Sequence, residues 1–411
     1  MGRVNQNSQP AAFDFRINFM NLRHAFPASL SVFTLLALSL GACRKHDFPQ
    51  YSSNDREYAY VTNQGSGTVS VFDVVNLRLD REVAVGQNPV AVAVSATRNE
   101  AYIVNEGAEG GQGSLTILNA ENNTAVGSIP LHLKPLSIEV DPAGDLAYVA
   151  NSGSNSVSIL DLKSRSEVAQ IGVGEEPVFT RLAPDGKTLV VANRTGNSVT
   201  VIDPAARAVR ATFAGCPGAS NVVILPDSAK AFAACSAGHQ ILSIALARTA
   251  GHPSATDKAR PDREEALLDV GRGPVQLALK PDGGELFSLN SLSDSISEVI
   301  TGTNDVGGAY IMGANPACGL ITADNSLLYV GNLHSQEVTI YAIDDGKRRG
   351  SIHVGDGPSA LAFSAAGHLM FVVDAHSGDV AVVRTASRSL FTILPAGRNP
   401  GAIAVKAFKL P

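Results

Sequence analysis

Apolar and polar residues alternate through much of the chain in runs of five or six, broken by turn formers. Pro135-Leu-Ser-Ile-Glu-Val140 alternates as a half-buried strand does. Asp141-Pro-Ala-Gly144 follows as a turn, with proline fixing φ at the second position and glycine accepting the positive φ after it. Leu146 to Ala150 is a more continuously apolar strand, Asn151 to Asn155 a second turn, and Ser156 to Leu160 a third strand ending at Asp161. A fourth strand, Glu167 to Val173, closes the unit at Gly174.

The second strand of that unit recurs. It reads Tyr60-Val-Thr-Asn63, Tyr102-Ile-Val-Asn105, Tyr148-Val-Ala-Asn151, Val190-Val-Ala-Asn193, Phe232-Ala-Ala-Cys235, Phe287-Ser-Leu-Asn290, Tyr329-Val-Gly-Asn332 and Phe371-Val-Val-Asp374. The steps between first residues are 42, 46, 42, 42, 55, 42 and 42. A period in this range means a solenoid, propeller or array, and four short antiparallel strands per unit is the propeller blade. Prolines recur ahead of the first strands at Pro89, Pro135, Pro177, Pro217, Pro274, Pro316, Pro358 and Pro400. Proline is tolerated there because its missing N–H breaks no ladder bond.

The ends support closure. The body enters directly in a second strand at Tyr58, and the chain finishes just after a lone first strand, Pro400 to Phe408. If that last strand completes the first blade, the ring has no open edge. The predicted fold is an all-β propeller of eight four-stranded antiparallel blades, closed by the C-terminal strand.

Composition agrees. Only 17% of the 411 residues are charged, and 38 glycines and 21 prolines suit a turn-rich β body. A formal net charge of -6 and a pI near 5.9, with no basic cluster, argue against binding nucleic acid or anionic lipid through a general basic field.

Ser31 to Leu40 is an apolar run too short to span a bilayer, which takes roughly 20 residues, and reads as a signal-peptide core. Leu40-Gly-Ala-Cys43 after it resembles the bacterial lipobox, whose cysteine becomes the acylated N-terminus. With Arg23 near its start, a leader beginning at Met20 has ordinary length, so Met20 is read as the true start. The division is a signal peptide over 1–42, a lipidated tether over 43–57 and a propeller over 58–411. The expected anchor is lipid on Cys43. Because Arg44 rather than an acidic residue follows it, the resemblance to bacterial lipoproteins places the chain at the outer membrane, facing the periplasm or the surface.

The repeat resembles the YVTN family of β-propellers from Tyr58 to Phe408. The marks are Tyr60-Val-Thr-Asn-Gln-Gly-Ser-Gly-Thr-Val-Ser-Val-Phe-Asp73, Ala192-Asn-Arg-Thr-Gly-Asn-Ser-Val-Thr-Val-Ile-Asp203 and Val354-Gly-Asp-Gly-Pro358. Many relatives have seven blades, so seven is the alternative count. Tryptophan is absent, which disfavours the WD40 and quinoprotein types.

Departures from the repeat are where function can lie. The turns between strands two and three and the loops between blades share one face. That face receives the glycine-rich excursion Glu106 to Gly113 and four histidines, His132, His239, His334 and His376. His334 and His376 stand at equivalent positions in neighbouring blades, so the four are read as a candidate ligand-binding face for a transition metal or an anion. The alternative is that they are solvated turn residues copied with the repeat. The excursion lacks the alternating carboxylates of a calcium loop. The opposite face receives Arg248 to Glu265, read as a solvated insertion or a docking segment.

Cys216 and Cys235 lie toward one end of the same hairpin and are the expected disulfide, while Cys318 is expected to be a small buried residue. Asp73, Asp161 and Asp203, at equivalent strand ends, are expected to form turns. No nucleophile elbow, phosphate loop or haem-attachment motif is found, so no catalytic residue and no cofactor is assigned. The expected function is a non-enzymatic, lipid-anchored envelope module that binds a protein, a surface polymer or a small ligand. The alternatives are an enzyme or redox module of the lactonase or haem d1 propeller type, with His334, His376 or His239 as axial ligand, and a structural adhesin or assembly scaffold.

Overall fold

The computed structural model describes residues 49–247 and 260–410, so the signal peptide, Cys43, most of the tether and most of the insertion at 248–265 lie outside the described residues. Eight four-stranded antiparallel sheets follow one another in a closed ring. In seven of them the strands run in sequence order from the centre outwards. In blade 1 the second strand, Asp55–Asn63, is flanked by Thr68–Asp73 on one side and by the last strand of the chain, Pro400–Lys409, on the other. Eight blades are therefore formed, and not seven. The first described strand starts at Asp55, three residues inside the segment expected to be tether, because Asp55, Arg56 and Glu57 pair with Lys409, Phe408 and Ala407.

The recurrent aromatic of the second strand packs between blades. Tyr60, Tyr102, Phe232, Phe287, Tyr329 and Phe371 are all fully buried. Tyr60 packs with Val69 and Val71 of its own blade and with Ala101, Ile103 and Leu118 of the next. Each interface is thus a separate core, and burial of one such aromatic contributes on the order of 2 kcal/mol. Two irregularities repeat in each blade. One follows the residue that opens the first strand, as between Pro135 and Ser137, and the other lies between strands three and four, as at Ile159/Leu160. Such bulges increase local twist, which a blade needs to splay outward from the centre.

The sequence expectation fails in two further places. The first strand of blade 5 begins at Ala219 and not at Pro217, so this proline stands in the loop before it. Arg263, Glu264 and Glu265, read as part of a loop, open the outermost strand of blade 5, Arg263–Asp269. Outermost strands are largely exposed on both faces and so lack the apolar alternation that identifies a strand. Asp73, Asp161 and Asp203 do form turns: Asp161 Oδ1, for example, accepts the N–H groups of Lys163 and Ser164.

Candidate functional site

The asparagine of the repeat is a clamp. Asn105 Nδ2 donates to Ser114 Oγ at 3.1 Å and Thr116 Oγ1 at 2.9 Å on the third strand, while its Oδ1 accepts the N–H of Gly86 in the preceding interblade loop at 3.1 Å. Asn63 does the same with Thr68, Ser70 and Gly397, the last across 334 residues of chain. Asn332 binds Thr339 and Gly313. The loop residue is glycine because a Cβ on Gly86 or Gly313 would fall 2.6 Å or 2.5 Å from the clamp's Cγ.

Two blades replace this clamp. In blade 5 Cys235 stands where the asparagine does, opposite Ala219, and Cys216 stands three residues before Ala219, where the loop glycine does. A disulfide joins them, with Cα atoms 4.8 Å apart. A covalent bond thus takes the place of an N–H···O=C contact. In blade 8 the clamp is Asp374, fully buried, with Oδ2 accepting the Gly355 N–H at 3.0 Å. The residue opposite is Asp379, where other blades carry Thr68, Ser156 or Ser198, and Ala381 replaces the second hydroxyl. The Oδ1 atoms of Asp374 and Asp379 are buried without a hydrogen-bond partner. Burial, reinforced by the charge of Asp379, pushes the Asp374 carboxyl up to about 8, so a proton stands in for the missing amide.

The four histidines of this face lie on four blades, and no hydrogen bond or ion pair among the described residues joins two of them. His132 Nε2 sits 3.1 Å and 3.2 Å from the two carboxylate oxygens of Glu167. His239, at φ +60, accepts the Gly273 N–H on Nδ1 at 3.2 Å, so it ties its turn to the loop entering blade 6. His334 contributes its backbone N–H to Ala314 O, and His376 places Nδ1 3.6 Å from Asp356 Oδ2. No group of three or more His, Cys, Asp or Glu side chains arranged to hold a metal is found among the described residues. Cys318 is buried, and burial pushes its thiol up to about 12, so it holds its proton at neutral pH.

A cavity of about 510 Å³ lies elsewhere, at the end of the central channel away from the histidines. The first strands of blades 3 to 7 wall it where they run into their turns, with residues such as Val140, Leu182, Ile224, Leu279 and Ile321. Two charges interrupt this apolar wall. Glu139 and Arg181 are each the fifth residue of their first strand, in adjacent blades, where blades 5, 6 and 7 carry Val223, Ala278 and Leu320. Arg181 Nη1 lies 3.4 and 3.5 Å from the two oxygens of Glu139. Its guanidinium carbon stands 5.3 Å from the centroid of the Phe179 ring. Burial raises the Glu139 pKa above the ordinary carboxylate value, against the lowering effect of the Arg181 guanidinium. The sequence reading missed this pair, although charge at the fifth position of an innermost strand is a legible signal.

A family model described as YNCE-like beta-propeller matches residues 140–406, well over half of the chain. The chain belongs to the YNCE-like β-propeller family. No curated protein matches it. Among solved structures, this YNCE-like propeller is similar to the dihydro-heme d1 dehydrogenase NirN in complex with DHE, at TM-score 0.68 and 15% identity over 92% of this chain and 86% of that one. It is similar to Citrobacter koseri AztD, at TM-score 0.64 and 14% identity over 86% of this chain and 99% of the other. It also matches Kuenenia stuttgartiensis hydrazine synthase, at TM-score 0.54 and 20% identity over 80% and 92% of the two chains. At these identities the likeness shows a shared fold alone.

Proposed function

We propose that the chain is a non-enzymatic binding module of the bacterial cell envelope, tethered at a membrane surface by lipid on Cys43, that takes a small ligand in the cavity at the end of its channel. The observation that carries this reading is the cavity itself. Its volume of about 510 Å³ falls within the range of small-molecule sites, and an apolar wall with a few placed polar groups is how such sites are built. The two charged side chains of the lining, Glu139 and Arg181, face each other. Lipid anchoring rests on the Leu40-Gly-Ala-Cys43 stretch and on the apolar run before it.

The test is native mass spectrometry of the protein purified from its own envelope, followed by a small-molecule thermal-shift screen. A bound species that is lost in Val140→Trp, which fills the cavity, is the expected result. A chain that comes off empty and whose melting no small molecule alters would end this reading.

A further inference from the structure

Resting on the cavity reading above, we propose that the occupant is an amphiphile with an anionic headgroup, its tail against the apolar first strands and its head on Arg181 in place of Glu139. The argument starts from how poorly the two charges use each other. Charge-assisted N–H···O bonds run at roughly 2.7–2.9 Å. Both Arg181 contacts are longer, at 3.4 and 3.5 Å, and both use Nη1, which leaves the Nη2 and Nε side of the fork available to a second acceptor. Phe179 supports the plane of the guanidinium without consuming a donor.

The two members of the pair are not equivalent. Arg181 is the more exposed, at 41% against 21% for Glu139, and guanidinium keeps its charge at every physiological pH. Glu139 is the member that can be neutralised, and burial already raises its pKa. A ligand anion can therefore displace Glu139 from Arg181 while Glu139 takes up a proton. A ligand cation would have to displace the permanent charge and leave it unpaired. Few other groups compete. Tyr148 is opposite Glu139 on the second strand of blade 3, and Val190 is opposite Arg181. The first strands on either side, Pro89–Val94 and Ala219–Ile224, carry no ionisable residue, and Asp141 and Asp185 follow in the turns.

The experiment compares three eight-carbon probes, octanoate, 1-octanol and octylamine, by titration calorimetry on the whole purified protein at pH 8 and pH 6. Octanoate should bind at least tenfold tighter than octanol and should tighten as the pH falls, because protonation of Glu139 frees Arg181. R181M should bring octanoate down to the level of octanol. R181K, which keeps the charge without the fork, should recover part of the difference. E139Q should bind octanoate more tightly and lose the pH dependence. Equal affinity for octanoate and octanol, tighter binding of octylamine, or an R181M that binds octanoate normally each overturns the headgroup assignment and leaves the apolar cavity standing. Failure of all three probes overturns the cavity reading itself.

Discussion

Restoring an asparagine in blade 8 should remove a pH dependence that the asparagine clamps lack. Asp374 is fully buried and holds a proton up to about pH 8, whereas an ordinary aspartate releases it near 3.8. The folded pKa is raised, so the stabilising effect is complete below about pH 4 and is lost as pH rises toward 8. Over that interval the folded chain binds one more proton than the unfolded chain. Stability therefore falls by about 1.4 kcal/mol per pH unit from this group alone. Asp374→Asn replaces the proton with an amide whose Nδ2 can donate to Asp379, and its Oδ1 can still accept from Gly355, as Asn105 accepts from Gly86. Titrating groups other than the coupled Asp379 are common to both proteins and cancel in the difference. The stability gap in favour of Asp374→Asn should widen by roughly 3 kcal/mol between pH 5 and pH 7. Urea unfolding of both proteins at pH 5, 6 and 7 measures it. Parallel curves, with a constant gap, would refute the shared-proton account. Asp374→Asn with Asp379→Ser, which rebuilds the clamp as in blades 3 and 4, should behave like the single change.

Reducing or removing the disulfide by Cys216→Ser with Cys235→Ser should lower stability by about 3 kcal/mol, read by thermal unfolding. Cys216→Gly with Cys235→Asn should recover part of that loss by reinstating the hydrogen-bonded clamp, and no recovery would show that the two are not interchangeable. Asn332→Ala leaves the Gly313 N–H and the Thr339 hydroxyl unpaired and should destabilise by roughly 1–3 kcal/mol. Cys43→Ser should shift the protein from the membrane to the soluble fraction of the envelope, and retention at the membrane would remove the lipid anchor from the proposed function.

The architecture was legible because its signals are local. Tyr60, Tyr102 and Phe371 mark second strands whatever surrounds them, and the odd strand at Pro400 announces its partner by being left over. What stayed hidden was the register of blade 5, its outermost strand and one contact between repeats. Aligning blade 5 on Pro217 throws the cysteines out of register, whereas aligning it on Ala219 puts Cys216 in the glycine column and Cys235 in the asparagine column. Arg263 to Glu265 carry no strand signal because an outermost strand has little to bury. Glu139 and Arg181 occupy the same column, but that they meet is a property of two neighbouring blades and is written in neither one.

Closure by the last strand also sets an order of events. Until Pro400 to Lys409 exist, the strand from Asp55 to Asn63 has a bare inner edge, and the bond between Gly397 and Asn63 waits for a partner 334 residues away. Contacts of such separation form slowly, and unpaired strand edges are prone to mispairing. A chain emerging N-terminus first therefore has no finished form to adopt until its final residues are delivered. Under the envelope location proposed above, this delay would keep the chain threadable until Pro400–Lys409 is delivered, and that strand would meet Asp55–Asn63 in one blade only on the far side.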